Sequence, residues 1–413
     1  MTSDYDVAIV GAGSSGVAAA RRLAGSGLTV ALLEAASRVG GRAWTVELNG
    51  MPLDLGCGWL HSADRNAWVR VAEARGIALD RRPSAWSVQY RDLGFPPEDQ
   101  DAADRAFDAW SRVLRTAPPP NDRAGDVIAP DSEWRAYVEA ISGFLNGAGL
   151  DRISVADYLA YDEAATRHNW RAPMGYGALI AGSLPAAVDL RLATPVDSVR
   201  LDRGVTLCTA SGDLHAKAAI LAVSTSVLAR GGVALPTELE PWRRAAEVLP
   251  LGRNEKLFFA IVEGSPFETE THVLGNPRDA RTGSYYIAPF GRPVIECFLG
   301  GAGAEILANE GAPAGFAHAF GELVALFGGG ARKSLRPLAA SDWSRSTRIG
   351  GAYSHALPGH ASARAVLAQP FDGRIFFAGE ATHPFDFSTA HGAYESGVRA
   401  AEEAIAALAA RRV

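Results

Sequence analysis

The sequence predicts an α/β chain in which a discontinuous α/β domain is interleaved with a smaller α+β domain. Three observations lead to this fold class. Tyr5–Val10 is an apolar strand, and a glycine-rich turn, a helical stretch to Gly27 and a second apolar strand, Thr29–Leu33, follow it directly. Residues 62–170 show mostly helical patterns, and short apolar strands return only after residue 190. The α/β domain is therefore assembled from separated parts of the chain.

Hydrophobic periodicity and the positions of turn-forming residues predict the individual helices and strands. Helices are predicted at Asn66–Arg75, Asp101–Arg115, Glu133–Leu145, Pro313–Phe327 and Gly392–Ala410. Strands are predicted at Leu190–Leu192, Pro195–Leu201, Val205–Thr209, Ala219–Val223, Leu257–Val262, Val294–Leu299 and Arg374–Ala378. Loops rich in proline and aspartate are predicted at Gly94–Asp101 and Ala117–Pro130. The short strands around residue 200 indicate a β-meander, and those near 260 and 295 indicate a second sheet.

The turn after the first strand has the spacing of a dinucleotide-binding loop. Gly11 allows the tight turn, Gly13 lets the backbone approach a pyrophosphate, and Gly16 lets helix and strand pack closely. The helix that follows offers free N–H donors and the positive end of its dipole to phosphates. Glu34 ends the second strand and is placed to accept hydrogen bonds from ribose hydroxyls. Ser15, inside the loop, is included among the predicted cofactor contacts.

A glycine pair follows this unit in the sequence and favours FAD over a nicotinamide coenzyme as the cofactor. Gly40, Gly41 and Arg42 follow the ribose-binding acid and resemble the second signature of the flavoprotein family related to glutathione reductase. The resemblance implies a Rossmann-like FAD-binding domain, with the glycine pair passing close to FAD. Arg42 is expected to supply a fixed positive charge near the phosphates.

The C-terminal region supplies a matching set of residues. An apolar strand stops at Gly379, and such a strand end, opposite a phosphate-binding loop, is where an open α/β sheet places its ligand. Glu380 is the candidate acceptor for FAD ribose or ribityl hydroxyls. Ser388–Gly397 opens the last helix, whose N-terminus is expected to direct positive charge toward the pyrimidine end of the flavin.

These motifs together resemble the flavin-containing amine oxidases, particularly their polyamine oxidase and histone-demethylase branch. Gly379–His383 and Ser388–Gly397 carry the resemblance, and Asp54–His61 is similar to the polyamine oxidase segment that runs along the flavin. Gly58 and Trp59 are thereby assigned to FAD, and His61 is expected to face the substrate channel. Monoamine oxidases lack this Trp-x-His sequence. Val196, which lies in the first strand of the meander, is also assigned to FAD.

Ile349–Ser354 resembles the monoamine oxidase stretch that bears the flavin-linked cysteine. Ala352 occupies that position here and has no nucleophile, so FAD is expected to be held without a covalent bond. The resemblance makes Tyr353 one wall of the aromatic enclosure before the flavin, with Trp343 behind it. Thr389 stands where monoamine oxidases have a second tyrosine wall, which widens the expected pocket. Core packing is the alternative role of Trp343 and Tyr353.

Lys256 matches the family lysine that reaches flavin N5 through a water. At the start of an apolar strand it is also compatible with a solvated edge residue, and His61 is compatible with a purely structural role. His383 and His391 are expected to have structural roles near the cofactor loop. No metal site is predicted, because no cysteine partner and no His-Glu-x-x-His spacing accompanies the histidines.

Composition narrows the function classes. The 413 residues are 48% hydrophobic and 21% charged, and a net charge of −6 argues against a nucleic-acid partner. No run of about twenty apolar residues predicts a membrane span. Three widely spaced cysteines, expected to be small buried residues in a reducing compartment, and a start without a leader-like segment predict a cytoplasmic protein.

The resemblance implies FAD-dependent oxidation of an amine C–N bond to an imine and then an aldehyde. Dioxygen is the expected acceptor, hydrogen peroxide is released, and a polyamine or secondary amine is favoured. An L-amino-acid oxidase, with Arg345 or Arg348 as a carboxylate clamp, a C–C desaturase and a non-catalytic flavoprotein remain alternatives. The sequence leaves the oligomeric state open. The predicted FAD domain comprises 1–80, 172–246 and 346–413, and the predicted substrate domain comprises 81–171 and 247–345.

Overall fold

The computed structural model describes residues 4–86, 89, 93, 96–262 and 267–411. In chain order, the strands of this described part are β1 (Tyr5–Val10), β2 (Val30–Leu33), β3 (Thr45–Leu48), β4 (Met51–Asp54), β5 (Trp59–Leu60), β6 (Trp170–Arg171), β7 (Asp189–Arg191), β8 (Val196–Leu201), β9 (Val205–Thr209), β10 (Gly212–Leu221), β11 (Asn254–Ile261), β12 (Thr271–Leu274), β13 (Ser284–Ile287), β14 (Val294–Gly300), β15 (Leu335–Ala340) and β16 (Ile375–Phe377). The α-helices are α1 (Ser14–Leu23), α2 (Ala67–Ala74), α3 (Pro97–Thr116), α4 (Arg135–Asn146), α5 (Val155–Ala164), α6 (Tyr176–Ala181), α7 (Thr225–Ala229), α8 (Glu240–Glu247), α9 (Ala302–Glu310), α10 (Ala312–Phe327), α11 (Gly329–Ser334), α12 (Ala363–Ala368) and α13 (Ala390–Ala410).

The larger sheet has seven strands, in the order β7-β2-β1-β10-β9-β8, with β16 also paired to β10. The pairs β7–β2, β2–β1, β1–β10 and β10–β16 are parallel, whereas β10–β9 and β9–β8 are antiparallel. The sheet combines parallel and antiparallel pairs because the first half of the long strand β10 pairs with β9 and its second half pairs with β16. The carboxyl ends of β1, β10 and β16 therefore lie side by side.

Helices cover both faces of this sheet, which explains why its central strands are continuous apolar runs. Helices α1 and α13 pack on one face through alanines and leucines such as Leu23, Ala400 and Leu408. At their crossing, a Cβ on Gly397 would lie 2.1 Å from the carbonyl oxygen of Ser15, so only glycine allows this approach. The other face is covered by α7, α8 and α12, with Trp242 stacked on Phe377 at 5.7 Å.

The second sheet is antiparallel, in the order β12-β13-β14-β11-β15. One of its faces packs on α9 and α10 through a cluster that includes Leu257, Tyr285 and Leu323. Because side chains alternate across a strand, the intervening residues, among them Lys256 and Glu296, project from the opposite face. That face borders the cavity described below. No described helix is long and apolar enough to cross a membrane.

Most predicted elements are confirmed with small shifts at their ends. Val205–Thr209 forms a strand with the predicted bounds, and α2 is flanked by Asn66 and Arg75, the two ends of the predicted helix. The predicted loop at Gly94–Asp101 is wrong from Pro97 onward, because α3 starts there; Gly94 lies outside the described residues. Proline suits the first helical turn, where its missing N–H has no partner to lose.

Several elements were not predicted. The outer strands β12, β13 and β15 and helix α9 carry weak patterns, since polar residues such as His272 and Ser284 interrupt the apolar alternation. Strand β15 also contains Pro337, which is compatible with its position at the sheet edge. Strand β10 begins seven residues before the predicted Ala219, at Gly212, because its first half is partly exposed and only its second half is a continuous apolar run.

Candidate active site

A cavity of about 920 Å³ lies where the carboxyl ends of the parallel strands meet the second sheet. This volume is at the upper end of ordinary ligand pockets. Its walls come from the glycine loop, the segment 34–61, helices α4 and α5, the face of the second sheet, and the C-terminal segments around residues 352 and 389.

Two glycine loops meet at one end of the cavity and line it largely with backbone. Gly11 has φ +102°, and a Cβ there would lie 2.8 Å from the carbonyl oxygen of Ala222. Gly41 has φ +57°, and its Cβ would lie 3.1 Å from the Cα of Gly13. No side chain caps the N-terminus of α1, so its first N–H groups face this space unpaired by a cap. This cradle fits the pyrophosphate of a dinucleotide.

Gly16 is not among the residues that line the cavity, and its contact with the cofactor stays a prediction. A Cβ on Gly16 would lie 1.9 Å from the carbonyl oxygen of Gly11. The glycine is needed for the close packing of α1 on the loop, the packing role that its position in the motif predicts.

Glu34 holds the loop as well as facing the cavity. Its two carboxylate oxygens accept hydrogen bonds from the backbone N–H groups of Ala12 at 2.7 Å and Ala36 at 2.8 Å. Each oxygen has a second lone pair available. Contact of Glu34 with ribose hydroxyls stays a prediction that this geometry allows.

Arg42 and Glu380 join the second glycine pair to the C-terminal strand. The Arg42 Nη1 donates to Glu380 Oε1 at 2.9 Å and to the carbonyl of Ala352 at 2.6 Å. The other Glu380 oxygen accepts from the Ser354 hydroxyl at 2.6 Å and the Ser388 N–H at 2.9 Å. Burial raises the pKa of Glu380, but the nearby arginines outweigh burial and hold it below its usual value. The buried carboxylate is therefore ionised.

Thr389 lines the cavity and also caps the last helix. Its hydroxyl donates to the carbonyl of Asp386 at 2.6 Å and accepts from the N–H of Gly392 at 2.9 Å. Helix α13 begins at Ala390, two residues before the predicted start, because this cap fixes its first turn. His391, in that turn, is buried and lines the cavity.

Aromatic side chains enclose the part of the cavity beside Thr389. Tyr353 lines it and donates to the carbonyl of Phe144. Trp343 is buried, donates from Nε1 to the carbonyl of Leu55 at 2.9 Å, and also lines the cavity. Tyr161, on α5, adds an aromatic residue that the sequence did not indicate, and burial raises the pKa of its hydroxyl to about 12.

Lys256 is held inside the cavity wall rather than at a solvated edge, which excludes the alternative interpretation of this lysine. It is 7% exposed, and its Nζ lies 2.7 Å from a carboxylate oxygen of Glu296 and 3.1 Å from the carbonyl oxygen of Asp54. Burial lowers the pKa of Lys256, but the carboxylates of Glu296 and Asp54 outweigh burial and raise it. The site therefore keeps a positive charge at this position.

His61 faces the cavity as a neutral ring. Burial lowers its pKa to about 4, and Nδ1 lies 2.8 Å from the side-chain oxygen of Asn169. Trp59 packs against Trp86 with ring centroids 4.2 Å apart, and both tryptophans line the cavity near His61. Gly58 lies beside Lys256, where a Cβ would be 3.1 Å from Nζ.

The face of the second sheet lines the cavity with Lys256, which was predicted, and with other residues that were not. Four strands contribute alternate residues to the cavity wall, which are Asn254, Lys256, His272, Leu274, Ser284, Tyr286, Glu296 and Phe298. Glu296 could have been found from the sequence, because it is the single charged residue of an apolar strand. His272 and Ser284 carried none, because their strands were not predicted.

With the exception of Gly16, the structure brings the predicted residues to one cavity. The lining includes Gly11, Gly13, Ser15, Glu34, Gly40, Gly41, Arg42, Gly58, Trp59, His61, Val196, Lys256, Trp343, Tyr353, Gly379, Glu380 and Thr389. Which of these residues touch FAD or substrate stays a prediction.

Two other groups of side chains bear on the predictions. Cys297 is buried as predicted, but Cys57 and Cys208 are only half-buried, and Cys57 lines the cavity because the loop that carries it forms part of the wall. In the described residues, one group of potential metal ligands has its ligand atoms within 4.8 Å of one another: His383, Asp386 and Glu395. Both terminal nitrogens of Arg65 donate to Asp386, which places a cation there already.

A family model described as flavin containing amine oxidoreductase matches residues 14–87 and 69–405. The chain belongs to this family. Its cofactor is FAD, and its reaction is the FAD-dependent oxidation of an amine. The cavity fits this cofactor, because a dinucleotide cradle without side chains and an aromatic enclosure lie in one continuous space.

The similarity to other proteins extends over nearly the whole chain. Polyamine oxidase 4 of Oryza sativa subsp. japonica is 28% identical over 97% of this chain and 88% of its own length. Pseudooxynicotine dehydrogenase of a Pseudomonas species is 23% identical over 91% of this chain and 81% of its own length. The structure of a wild-type putrescine oxidase bound to putrescine has a TM-score of 0.74 and 24% identity, covering 97% and 99% of the two chains. That likeness shows an FAD-binding α/β fold.

Proposed function

We propose that the protein oxidises a polyamine or another secondary amine and uses dioxygen as its acceptor. The observation that carries this proposal is the cavity itself, which joins the glycine cradle to Tyr353, Lys256 and the face of the second sheet. The similarity to plant polyamine oxidases supports the substrate class. In the proposed reaction the amine loses two electrons and two protons and becomes an imine. Water hydrolyses the imine to an aldehyde and an amine, and dioxygen takes up the two electrons and two protons to form hydrogen peroxide.

FAD, when bound, supplies the electron acceptor for oxidation of the C–N bond. The residues of the chain bind and orient the amine and exclude water. Tyr353 and Thr389 frame the approach to the cofactor, with Trp343 behind them. Their apolar surroundings disfavour an ammonium and so favour the neutral amine, from which a hydride equivalent can be lost.

Lys256 and His61 have opposite electrostatic roles in this proposal. Lys256 is kept protonated by Glu296 and holds a water by hydrogen bonding, so its positive charge assists the reduction of dioxygen. His61 is neutral and offers the substrate a hydrogen-bonding group without a charge.

Three further assignments belong to the same proposal. FAD is held without a covalent bond, since Ala352 lines the cavity with a methyl group and no nucleophile. The chain is organised as an FAD domain of 1–80, 172–246 and 346–413 interleaved with a substrate domain of 81–171 and 247–345, which the distribution of strands between the two larger sheets supports. The protein acts in the reducing cytoplasm, in line with its three free thiols.

A screen of purified yellow protein tests the activity. Polyamines, N-methylamines and amino acids are supplied in turn, and peroxide formation is followed alongside anaerobic bleaching of the flavin. We expect bleaching and peroxide with secondary amines or polyamines. Bleaching without peroxide would contradict dioxygen as the acceptor, and the absence of both would contradict the substrate class. Trichloroacetic acid should release the yellow cofactor into the supernatant if it is non-covalent.

One observation favours a second candidate, an L-amino-acid oxidase. Both Arg345 and Arg348 are exposed, but only Arg348 lines the cavity and offers a cation for a substrate carboxylate. The next residue, Ile349, accepts a hydrogen bond at its carbonyl oxygen from the Ser224 hydroxyl at 2.7 Å. Ser224 lies shortly after strand β10, so this bond joins the segment that carries Arg348 to the larger sheet. Peroxide formation with amino acids, lost in Arg348→Met, would support this candidate.

A further inference from the structure

A buried carboxylate that precedes Lys256 in the sequence has no part in the proposed reaction. Glu255 is 1% exposed, and no lysine, arginine or histidine forms an ion pair with it in the described part of the chain. A buried carboxylate without a counter-charge is costly unless hydrogen bonds satisfy its oxygens. The hydrogen-bond partners of Glu255 therefore indicate why the chain keeps an acid at this position.

The turn that follows β15 supplies the hydrogen bonds of Glu255. One carboxylate oxygen, Oε1, accepts from the backbone N–H of Ser344 at 2.8 Å. The other, Oε2, accepts from the backbone N–H of Trp343 at 3.0 Å and from the Ser341 hydroxyl at 2.5 Å. Hydrogen bonds to a carboxylate are stronger than those between neutral groups. The side chain of Glu255 therefore holds the backbone of this turn against β11.

Ser341 extends the same network to the backbone of Lys256. Its hydroxyl donates to Glu255 and accepts from the N–H of Lys256 at 2.8 Å. The N–H of Ser341 donates to the carbonyl of Lys256 at 2.9 Å. The turn that carries Trp343 and the strand that carries Lys256 are thus joined through one carboxylate and one hydroxyl.

Glu255 acts from the side of the sheet that faces away from the cavity. Alternation along β11 places Glu255 on the face that carries Leu257, whereas Lys256 projects from the face that borders the cavity. Trp343 lines the cavity, and Glu255 is not among the lining residues. Glu255 therefore reaches the cavity only through the backbone of the turn.

The ring of Trp343 is also held on the side opposite to this turn. Its Nε1 donates to the carbonyl of Leu55 at 2.9 Å, and a Cβ on Gly56 would lie 3.4 Å from the ring. Leu55 and Gly56 both line the cavity and belong to Asp54–His61, the segment that resembles the one running along the flavin. A shift of the backbone at Trp343 would therefore move the ring relative to this segment.

We propose that Glu255 is a positioning residue, which fixes the backbone of Trp343 and thereby the aromatic wall behind Tyr353 and Thr389. This inference rests on the proposed function, which gives Trp343 that place. Glu255 itself touches neither substrate nor cofactor in this proposal, and its effect on the reaction passes through the ring of Trp343.

Glu255→Gln tests the inference, because glutamine has one acceptor oxygen where the carboxylate has two. Its NH2 group would face a backbone N–H of the turn, so the turn has to move. For the FAD-loaded protein, with the amine oxidised fastest in the screen above, we expect the limiting rate of anaerobic flavin reduction to fall by up to about a hundredfold. A loss of that size accompanies a misplacement of about 1 Å.

Glu322→Gln provides the matched control. Glu322, on α10, also accepts from a backbone N–H, that of Gly283 at 2.9 Å, and from the Tyr285 hydroxyl at 2.6 Å. None of these three residues is among those that line the cavity. Glu322→Gln should therefore lower the thermal stability, as Glu255→Gln does, but keep the wild-type rate of flavin reduction.

A double variant shows whether Glu255 acts through Trp343. Trp343→Ala leaves no ring to position, so adding Glu255→Gln to it should cause no further loss of the reduction rate. Additive losses would overturn the inference, as would a wild-type rate in Glu255→Gln or in Trp343→Ala. If Glu255→Gln does not accumulate as yellow protein, Glu255→Asp takes its place. This variant keeps the carboxylate but withdraws it by one methylene, and it should slow reduction in the same way.

A measurement without substrate separates this inference from the proposed reaction. Trp343 packs edge-on against Trp44 with ring centroids 6.2 Å apart, so near-ultraviolet circular dichroism of the FAD-loaded protein depends on the orientation of its ring. We expect the signal that is lost in Trp343→Ala to be weakened in Glu255→Gln and retained in Glu322→Gln. If no amine bleaches the flavin of the wild-type protein, the proposed oxidation is wrong. An unchanged signal in Glu255→Gln contradicts the positioning role whether or not the protein turns over.

Discussion

The ammonium of Lys256 lies 2.7 Å from the carboxylate of Glu296, on neighbouring antiparallel strands whose common face borders the cavity. Burial alone would favour a neutral lysine, and the carboxylates of Glu296 and Asp54 keep the nitrogen charged by raising its pKa. The protonation state of Lys256 therefore depends on residues of neighbouring strands.

Removing the Glu296 charge should lower the pKa of Lys256. In Glu296→Gln we expect the rate at which the anaerobically reduced enzyme reacts with dioxygen to decline with rising pH at a lower pH than in the wild type, because the ammonium is lost earlier. Stopped-flow measurements of flavin reoxidation across pH 6–11 check this. Glu305, a half-exposed surface residue 3.5 Å from Arg253, provides the control Glu305→Gln, which should leave the profile in place. Identical profiles for all three proteins would rule out the proposed role of Glu296.

Replacing Lys256 itself should slow reoxidation at every pH. We expect Lys256→Met to reduce the dioxygen rate constant by about a hundredfold to a thousandfold, in the range observed when one electrostatic stabiliser is removed. Anaerobic flavin reduction by amine should change less. Lys217, which pairs with Asp6 at the surface, provides the control Lys217→Met. Wild-type rates of both half-reactions in Lys256→Met would show that this lysine has no part in the chemistry.

His61 should behave as a neutral group throughout the working pH range. Because burial holds its pKa near 4, the kcat/KM profile should show no inflection from this residue above about pH 5. Asn169→Asp places a carboxylate beside Nδ1 and should raise the pKa of His61, so that a new inflection moves into the measurable range. Asn276→Asp, at the surface, is the matched control. His61→Ala with unaltered kcat/KM on every amine would remove His61 from the site.

A buried ion pair supports the wall that carries Tyr161. Arg364 donates from Nε to Asp157 Oδ1 at 2.6 Å and from Nη2 to Oδ2 at 2.8 Å, and both residues are buried. Asp157 and Tyr161 lie one turn apart on α5. Arg364→Met leaves the Asp157 charge uncompensated and should lower the free energy of unfolding by about 3–5 kcal/mol. Urea unfolding of the FAD-loaded protein measures this, and Arg364→Met combined with Asp157→Leu should regain part of the loss. A double variant as unstable as Arg364→Met would contradict the electrostatic explanation.

A methyl group in the glycine cradle should weaken cofactor binding. In Gly41→Ala the new Cβ would lie 3.1 Å from the Cα of Gly13 in a backbone conformation that disfavours side chains. We expect a lower FAD content and a raised dissociation constant, measured by fluorescence titration of the apoprotein. Gly50→Ala is the control, because Gly50 also has positive φ (+72°) but open space around it. Equal FAD affinity in the two variants would show that the cradle tolerates the methyl group.

The sequence identified the FAD end of the site better than the substrate end. Gly11, Gly41 and Glu380 stand in motifs with a fixed spacing along the chain, so the sequence alone is informative. His272, Ser284 and Tyr161 are brought to the cavity by weakly patterned strands and a helix. Their positions depend on how the second sheet docks, which is a tertiary relationship without a local signature.

Gly16 also shows what a motif alone cannot decide. Its place in the motif predicts both cofactor contact and packing, and only the packing is observed, since its Cα faces the carbonyl of Gly11. The prediction of buried cysteines is wrong for Cys57, which is half-buried because its segment, Asp54–His61, forms part of the cavity wall.

The contact between α1 and α13 has a consequence for biosynthesis. Ser14 donates to the carbonyl of Ala390 at 2.6 Å, and the close approach of Gly397 to Ser15 locks the two helices together. Ser14 and Ala390 are 376 residues apart, so a nascent polypeptide has the glycine loop long before it has the partner helix. The glycine loop is thus completed by a contact between distant parts of the chain, which we expect to form late in folding.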